Sequence, residues 1–483
     1  MSKSYLNYIG GNWTKSMSGQ QYERFNPANP SESVGMTENS TKDDGNEAVA
    51  AAVSASASWK ATSSIARGEL LQKAADILEQ RADDIAKTAT QEMGKRFAET
   101  KGEAIRGATI LRYYAQEGYR KTGEVLPSAN TGSTLLAVRV PVGVVAAITP
   151  WNFPIAIPIW KLAPALLYGN TVVWKPSQET GITATKIAQV FADAGLPAGV
   201  LNLVNGSGSA IGDALTTHDD VDAITFTGSN AVGQIIAQKA TAFGKKFQLE
   251  LGGKNPAVVL ADANLDLAAR LVVDGAMKQT GQRCTATSRT YVEASVYDKF
   301  IEKVIHYAKQ IKVGDGLNDD VTMGPVASKK QFNTVTEYIK KGRDEGATLL
   351  YGGNTNRING GYFIEPTIFG DVTHNMAIVK EEIFGPVIAI MKVADYEEAL
   401  TRANDTIYGL SAAIFTESLE KAFHFMEHSD VGMVQINGET GGAEPQAPFG
   451  GIKASGSGPK EQGQAAAEFF TDYKTITINP FAK

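Results

Sequence analysis

The sequence predicts an α/β protein of two large domains, each built on a mainly parallel sheet covered by helices. Two observations carry that expectation. At 483 residues the chain is about three times the usual domain length, so two domains sharing a cleft fit it better than one core. Short β-branched runs alternate with helix-spaced segments in two successive blocks, the pattern of parallel strands joined by crossover helices.

In chain order, Glu47 to Trp59 and Arg67 to Met93 place apolar residues at helical spacing with charges between them, which predicts two surface-packed helices. From Val144 the rhythm changes. Strands are predicted at Val144 to Ile148, Thr171 to Trp174, Val200 to Val204 and Ala223 to Phe226, with segments such as Ala184 to Ala194 free to form crossover helices. Sheets of this kind bind ligands where their strands turn into helices. Here those turns are Thr149-Pro150-Trp151-Asn152, Lys175-Pro176-Ser177-Gln178 and Thr227-Gly228-Ser229-Asn230. A second block runs from about Gly252 to Ala454, joined to the first through Glu250-Leu251-Gly252-Gly253-Lys254. Its predicted elements are strands at Pro256 to Leu260, Arg289 to Glu293, Val387 to Met391 and Gly432 to Ile436, and helices at Leu265 to Met277 and Lys299 to Lys312. Leu135 to Val140 and Phe469 to Ile478 fit neither sheet; the latter is either a plain edge strand or a pairing strand between subunits.

Composition narrows the function classes. Hydrophobic residues make up 43% and charged residues 20% of the chain, as in an ordinary globular protein. A formal net charge of −6 gives no electrostatic case for nucleic acid or anionic membranes as partners. The greasy stretch Val142 to Leu167 is broken by Pro150, Asn152, Pro154, Pro158, Lys161 and Pro164, so no membrane span is expected. Met1-Ser2-Lys3-Ser4-Tyr5 lacks a signal pattern, and with a single cysteine this points to a cytoplasmic protein.

That cysteine is Cys284, set in the polar, glycine-broken run Gln279-Thr280-Gly281-Gln282-Arg283-Cys284. It is either a small buried hydrophobe or a reactive thiol. No G-x-G-x-x-G follows an early strand, but Gly228-Ser229-Asn230-Ala231-Val232-Gly233 follows one and opens a helix expected over Val232 to Ala242. That turn is an ordinary strand-to-helix junction or a phosphate cradle, and Lys175, with Ser177 and Gln178, adds polar groups suited to ribose and phosphate. Asn152 in its proline-flanked turn is an Asx turn or an aimed amide donor. Glu250 beside Leu251-Gly252-Gly253 is a solvated charge or a base on irregular, accessible backbone. The five histidines lie in surface-like or helical contexts, and no metal-binding motif occurs, so no metal is expected.

Together these segments resemble the aldehyde dehydrogenase superfamily. The resemblance runs from Tyr8-Ile9-Gly10-Gly11-Asn12-Trp13 to Tyr473-Lys474-Thr475. Its motifs stand in the family's order: Pro150-Trp151-Asn152-Phe153-Pro154, Phe226-Thr227-Gly228-Ser229, Leu249-Glu250-Leu251-Gly252-Gly253-Lys254, Gly281-Gln282-Arg283-Cys284, Glu382-Ile383-Phe384-Gly385-Pro386 and Pro448-Phe449-Gly450-Gly451. The resemblance implies that Cys284 is the nucleophile, Glu250 the general base and Asn152 an oxyanion donor, with Glu461 part of a proton relay. It places Thr149, Trp151, Lys175, Gly228, Ser229, Gly233, Leu251, Glu382 and Phe384 at dinucleotide contacts, and Ser177 and Gln178 beside them. It also implies a dinucleotide-binding domain of 1–121 and 142–251, a catalytic domain of 252–454, and an oligomerisation arm of 122–141 with 455–483, in a homodimer or homotetramer.

The implied reaction oxidises an aldehyde to an acid through a hemithioacetal and a thioester on Cys284. Gln178 stands where many NAD-preferring relatives carry a glutamate that repels a 2′-phosphate, so NADP is expected to be preferred, with NAD also used. The wording of Trp151 to Lys161, of Gly281 to Arg289 and of Gln446-Ala447-Pro448-Phe449 is similar to the branch that oxidises α-ketoglutaric semialdehyde (2,5-dioxopentanoate). Arg283, beside the nucleophile, is a candidate anchor for an anionic aldehyde, with Phe153 and Phe449 lining the pocket. Succinic semialdehyde and a broad aldehyde range are the rival substrates. A nucleotide-free cysteine hydrolase or esterase is the rival of another class.

Overall fold

The computed structural model describes residues 3–356 and 358–480. Its first sheet has eight strands in the order Gly456–Ser457, Lys246–Glu250, Ala223–Thr227, Val144–Ile148, Thr171–Lys175, Leu201–Leu203, Asn7–Ile9 and Asn12–Thr14. Its central strands are parallel, and every residue of Val144–Ile148, Thr171–Lys175 and Ala223–Thr227 is buried. Burial on both faces explains why these strands read as unbroken apolar runs rather than alternating ones. Helices Lys42–Ala61, Ser64–Gln80, Ala82–Met93 and Phe97–Glu117 precede the sheet's core strands in sequence, and Ala156–Leu167, Gly181–Asp193 and Asn230–Ala242 form crossovers within it.

Register brings the carboxyl ends of the strands level. Ile148 lies opposite Lys175, and Thr227 opposite Glu250. The segments that follow these residues therefore open on one edge of the sheet, where a doubly wound fold holds its ligand. Only Leu251–Lys254 separate Glu250 from the first strand of the second sheet, Asn255–Val259. The second sheet has seven strands, ordered Thr348–Tyr351, Thr367–Gly370, Val387–Val393, Thr287–Glu293, Asn255–Val259, Ser411–Phe415 and Met433–Ile436. The carboxyl edge of the first sheet thus runs straight into the amino edge of the second, and the site forms at that seam.

The segments that fit neither sheet make a third. Thr471–Ile478 pairs antiparallel with Thr134–Pro141, which also pairs with Gly123–Leu126. The C-terminal strand is therefore one edge of a three-stranded arm.

Three sequence expectations need correction. The helical pattern from Arg67 to Met93 is two helices, because Arg81 leaves helical geometry (φ −100°, ψ 10°) and reaches Asp193 at 2.7 Å. The helix expected at Lys299 to Lys312 spans Tyr297–Ala308. Glu250 is neither solvated nor on irregular backbone: it ends the strand Lys246–Glu250 and is 3% exposed.

Candidate active site

The loop that carries Cys284 is shaped by backbone strain. Gln279, Thr280 and Gly281 all hold positive φ, at 54°, 59° and 67°. For the two non-glycine residues that geometry is costly and needs support from the surroundings. Thr280 Oγ1 donates to the Gly324 carbonyl at 3.0 Å, and Gln282 Oε1 accepts from the Ala327 N–H at 2.9 Å. A side chain at Gly281 would lie 2.1 Å from the Gly385 carbonyl oxygen, so only glycine fits.

Two asparagines clamp the loop from opposite domains. Asn152 Nδ2 donates to the Gln282 carbonyl at 3.1 Å, and Asn255 Nδ2 donates to the Cys284 carbonyl at 2.7 Å. Asn152 is 4% exposed, and the second hydrogen on its amide remains available for an oxygen bound at the thiol. Asn152 is itself held in place from behind. Lys95 Nζ donates to its carbonyl at 3.1 Å and pairs with Glu103 at 2.6 Å, while Glu103 Oε1 accepts from the Ile155 and Ala156 N–H groups at 2.8 and 2.9 Å. Asn255, Lys95 and Glu103 escaped the sequence reading because a second-layer residue has no motif of its own.

Electrostatics keep the thiol protonated at rest. Burial, then the Glu250 and Glu382 carboxylates, push Cys284 up to about 12, against a smaller opposing pull from Arg283. Burial and the nearby Glu461 charge likewise raise Glu250 well above the carboxylate range. The carboxylate whose charge acts on the thiol is thus a stronger base than an ordinary glutamate. Glu250 Oε2 and Glu461 Oε2 are both buried without a hydrogen-bond partner, the setting that an ordered water satisfies. Glu461 pairs with the buried Lys161, whose Nζ also donates to Thr225 Oγ1 at 2.8 Å. Reciprocal backbone bonds between Phe449 and Glu461, at 2.7 and 2.8 Å, fix this group beside Gly450. A Cβ on Gly450 (φ 151°) would fall 2.3 Å from Glu250 Oε1, which explains the glycine in Pro448-Phe449-Gly450-Gly451.

From Cys284 a cleft of about 460 Å³ opens between the domains. Trp151, Asn152, Ser177, Gly228, Ser229, Leu251, Glu382 and Phe384 all line it. The Trp151 and Phe384 rings meet edge to face at 5.5 Å across its two walls. Glu382 Oε1 accepts from the Gly253 N–H at 3.1 Å, and a Cβ on Gly252 would lie 2.2 Å from its other oxygen. Ser229 caps the helix Asn230–Ala242 without a side-chain bond, so first-turn N–H groups are free at the cleft. Such a helix end fits a pyrophosphate, and the long cleft with a carboxylate fits its ribose. A larger hollow of about 950 Å³, walled by Arg67, Arg120 and Arg139, lies beside the arm and away from Cys284.

Other expected residues are not among those lining this cleft. Thr149 Oγ1 accepts from Trp174 Nε1 at 2.9 Å, Lys175 Nζ donates to the Pro176 carbonyl at 2.8 Å, and Gln178 Nε2 donates to Asn39 Oδ1 at 3.2 Å. Burial lowers Lys175 to about 8. Gly233 lets Leu251 close over the helix, since a Cβ there would be 2.5 Å from Leu251 Cδ2. Next to Gln178, Glu179 brings a second carboxylate to the cleft besides Glu382, and Arg24 pairs with it. Phe153 and Phe449 belong to the apolar packing around Cys284, with Phe449 5.3 Å from Trp160. Arg283 is not the free cation that its position suggested. Its Nη2 donates to the Gly275 carbonyl at 2.7 Å and to Glu439 at 3.2 Å, which takes up its charge.

A thiol, a buried carboxylate and a dinucleotide-sized cleft at the seam of two α/β domains define a nicotinamide-dinucleotide-dependent oxidoreductase that works through a covalent thiol adduct. The chain belongs to the aldehyde dehydrogenase family, whose profile matches residues 13–476. It is 53% identical over 480 residues to the alpha-ketoglutaric semialdehyde dehydrogenase of Bacillus subtilis, covering 99% of this chain and 98% of that one. It is 42% identical over 478 residues to the 2,5-dioxopentanoate dehydrogenase of Saccharolobus solfataricus, covering 98% and 99%. Among solved structures, the betaine aldehyde dehydrogenase of Staphylococcus aureus in complex with NAD+ matches with a TM-score of 0.96 at 35% identity, covering 99% of this chain and 95% of that one.

Proposed function

We propose that the protein oxidises α-ketoglutaric semialdehyde to α-ketoglutarate, with NADP preferred over NAD. The observation that carries the reading is that Cys284 and Asn152 line one cleft while the buried Glu250 carboxylate acts on the thiol. The similarity to enzymes named for that aldehyde supports the substrate.

Cys284 gives its proton to Glu250, directly or through a water at the unpartnered Glu250 Oε2, and the thiolate attacks the aldehyde carbon. The Asn152 amide and the Cys284 N–H stabilise the resulting oxyanion. A nicotinamide dinucleotide bound in the cleft supplies the hydride acceptor. Glu250 passes that proton on toward Glu461 and Lys161, then takes a second one from water as that water attacks the Cys284 thioester. Thiolate is the leaving group and recovers the proton from Glu250, so both groups return to their starting state and the product leaves as the acid.

Preference for NADP is supported by Gln178 in place of a carboxylate and by the Arg24 pairing that quiets Glu179. Thr149, Trp151, Lys175, Ser177, Gln178, Gly228, Ser229, Gly233, Leu251, Glu382 and Phe384 contact the cofactor in this reading. We read the domains as 1–121 with 142–251, 252–454, and an arm of 122–141 with 455–483 that pairs subunits into a dimer or tetramer. No described helix is long and apolar enough to cross a membrane, and a cytoplasmic setting suits the unpaired Cys284. Steady-state assays with 2,5-dioxopentanoate, succinic semialdehyde and pentanal, each with both cofactors, test the reading. The highest kcat/KM is expected for 2,5-dioxopentanoate with NADP; a higher value for pentanal would refute the substrate.

A further inference from the structure

Three cations that support the site are already engaged. Lys95 is spent on Glu103 and the Asn152 carbonyl, Lys161 on Glu461 and Thr225, and Arg283 on Glu439 and the Gly275 carbonyl. Arg106 makes no hydrogen bond or ion pair among the described residues, and it is half-buried.

Its place is set by the helix Phe97–Glu117. Glu103, one turn earlier on the same face, grips the backbone of Ile155 and Ala156 at the start of the helix Ala156–Leu167. Gly107, the next residue, is pressed so closely against that helix that a Cβ would lie 2.6 Å from Ile159 Cδ1. Arg106 therefore stands where this helix crosses the segment carrying Asn152 and Phe153. Across from it is Glu444, whose charge acts on the guanidinium along with that of Glu103. Neither carboxylate is hydrogen-bonded to it among the described residues: Glu103 is filled by Lys95 and two N–H groups, and the exposed Glu444 accepts from Gln446 Nε2 at 2.6 Å. Ala443, next to Glu444, packs on the apolar cluster that also receives Phe153 and Cys284 and contains Trp160 and Phe449.

Resting on the aldehyde-oxidising function above, we propose that Arg106 receives the carboxylate of the substrate and makes the site selective for short ω-oxo acids. The apolar side chains of Phe153, Trp160 and Phe449 would face the methylene chain between the two ends. A partly desolvated guanidinium with open hydrogen-bonding capacity is suited to a carboxylate, which it can grip through two parallel bonds. An aldehyde without that charge gains nothing from it.

The test compares wild type with Arg106→Leu, Arg106→Gln and Arg106→Lys on 2,5-dioxopentanoate and on pentanal at saturating NADP. Removing the charge should lower kcat/KM for the oxo acid about 10- to 100-fold, mainly through KM. Pentanal should change less than about threefold, and Arg106→Lys should recover part of the loss. The KM for NADP should not move. Equal losses on both aldehydes in a wild type that prefers the oxo acid would overturn the role of Arg106 while leaving the enzyme's function intact. A wild type that oxidises pentanal but no oxo acid would overturn the substrate itself.

Discussion

Cys284 rests as a thiol because desolvation and two carboxylates oppose its ionisation, and burial with the nearby Glu461 charge pushes Glu250 upward as well. Both groups move toward their reactive forms as pH rises: Cys284 loses its proton to become a nucleophile, and Glu250 loses one to become a base. With both shifted upward, kcat/KM should climb between about pH 6 and about pH 9 rather than level off below neutrality. A flat profile over that range, measured with viscosity controls for diffusion, would contradict the assignment. Asn152 has a narrower job. Asn152→Ala removes one oxyanion donor and should lower kcat on the order of 100- to 1,000-fold. It also removes the bond to the Gln282 carbonyl, so a thermal melt should accompany the kinetics.

The supporting helix Phe97–Glu117 shows how elements hold those residues. Its Lys95–Glu103 neighbourhood is an ion pair whose side chains are 0% and 2% exposed. Lys95→Met would strand a buried carboxylate and should cost about 3–5 kcal/mol of stability in a denaturant melt. Gly107→Val should cost about 1–3 kcal/mol by overpacking against Ile159. This helix did not stand out in the sequence, because Gly102 and Gly107 interrupt its pattern, and the packing reason for Gly107 is a partner helix far along the chain. The parallel strands were legible, since burial on both faces leaves β-branched runs such as Val144–Ile148. The strand Lys246–Glu250 was not: Lys246 and Gln248 look polar, yet Gln248 is buried and its Nε2 donates to the Pro459 carbonyl at 2.8 Å. Cys284, Glu250 and Asn152 were likewise visible through their motifs. What stayed hidden was partnership, as when Arg283 proved to be engaged by Glu439.

At the scale of the whole molecule, the seam between two sheets creates the site, and the arm lies outside it. Thr471–Ile478 covers only one side of Thr134–Pro141, and Tyr473 and Ile478 are exposed. Removing residues 471–483 should lower the solution mass by at least a factor of two in light scattering if the arm joins subunits. An unchanged mass would place the interface elsewhere. The central claim is that Cys284 carries an acyl group that Glu250 helps water remove. It is tested most directly by mixing Glu250→Gln with NADP and 2,5-dioxopentanoate and measuring the intact and peptide masses. The account predicts about one reduced cofactor per active site, formed more slowly than in wild type because Glu250 also takes the thiol proton, and an acyl adduct on the Cys284 peptide. Reduced cofactor without that adduct, or an adduct on another residue, would contradict it.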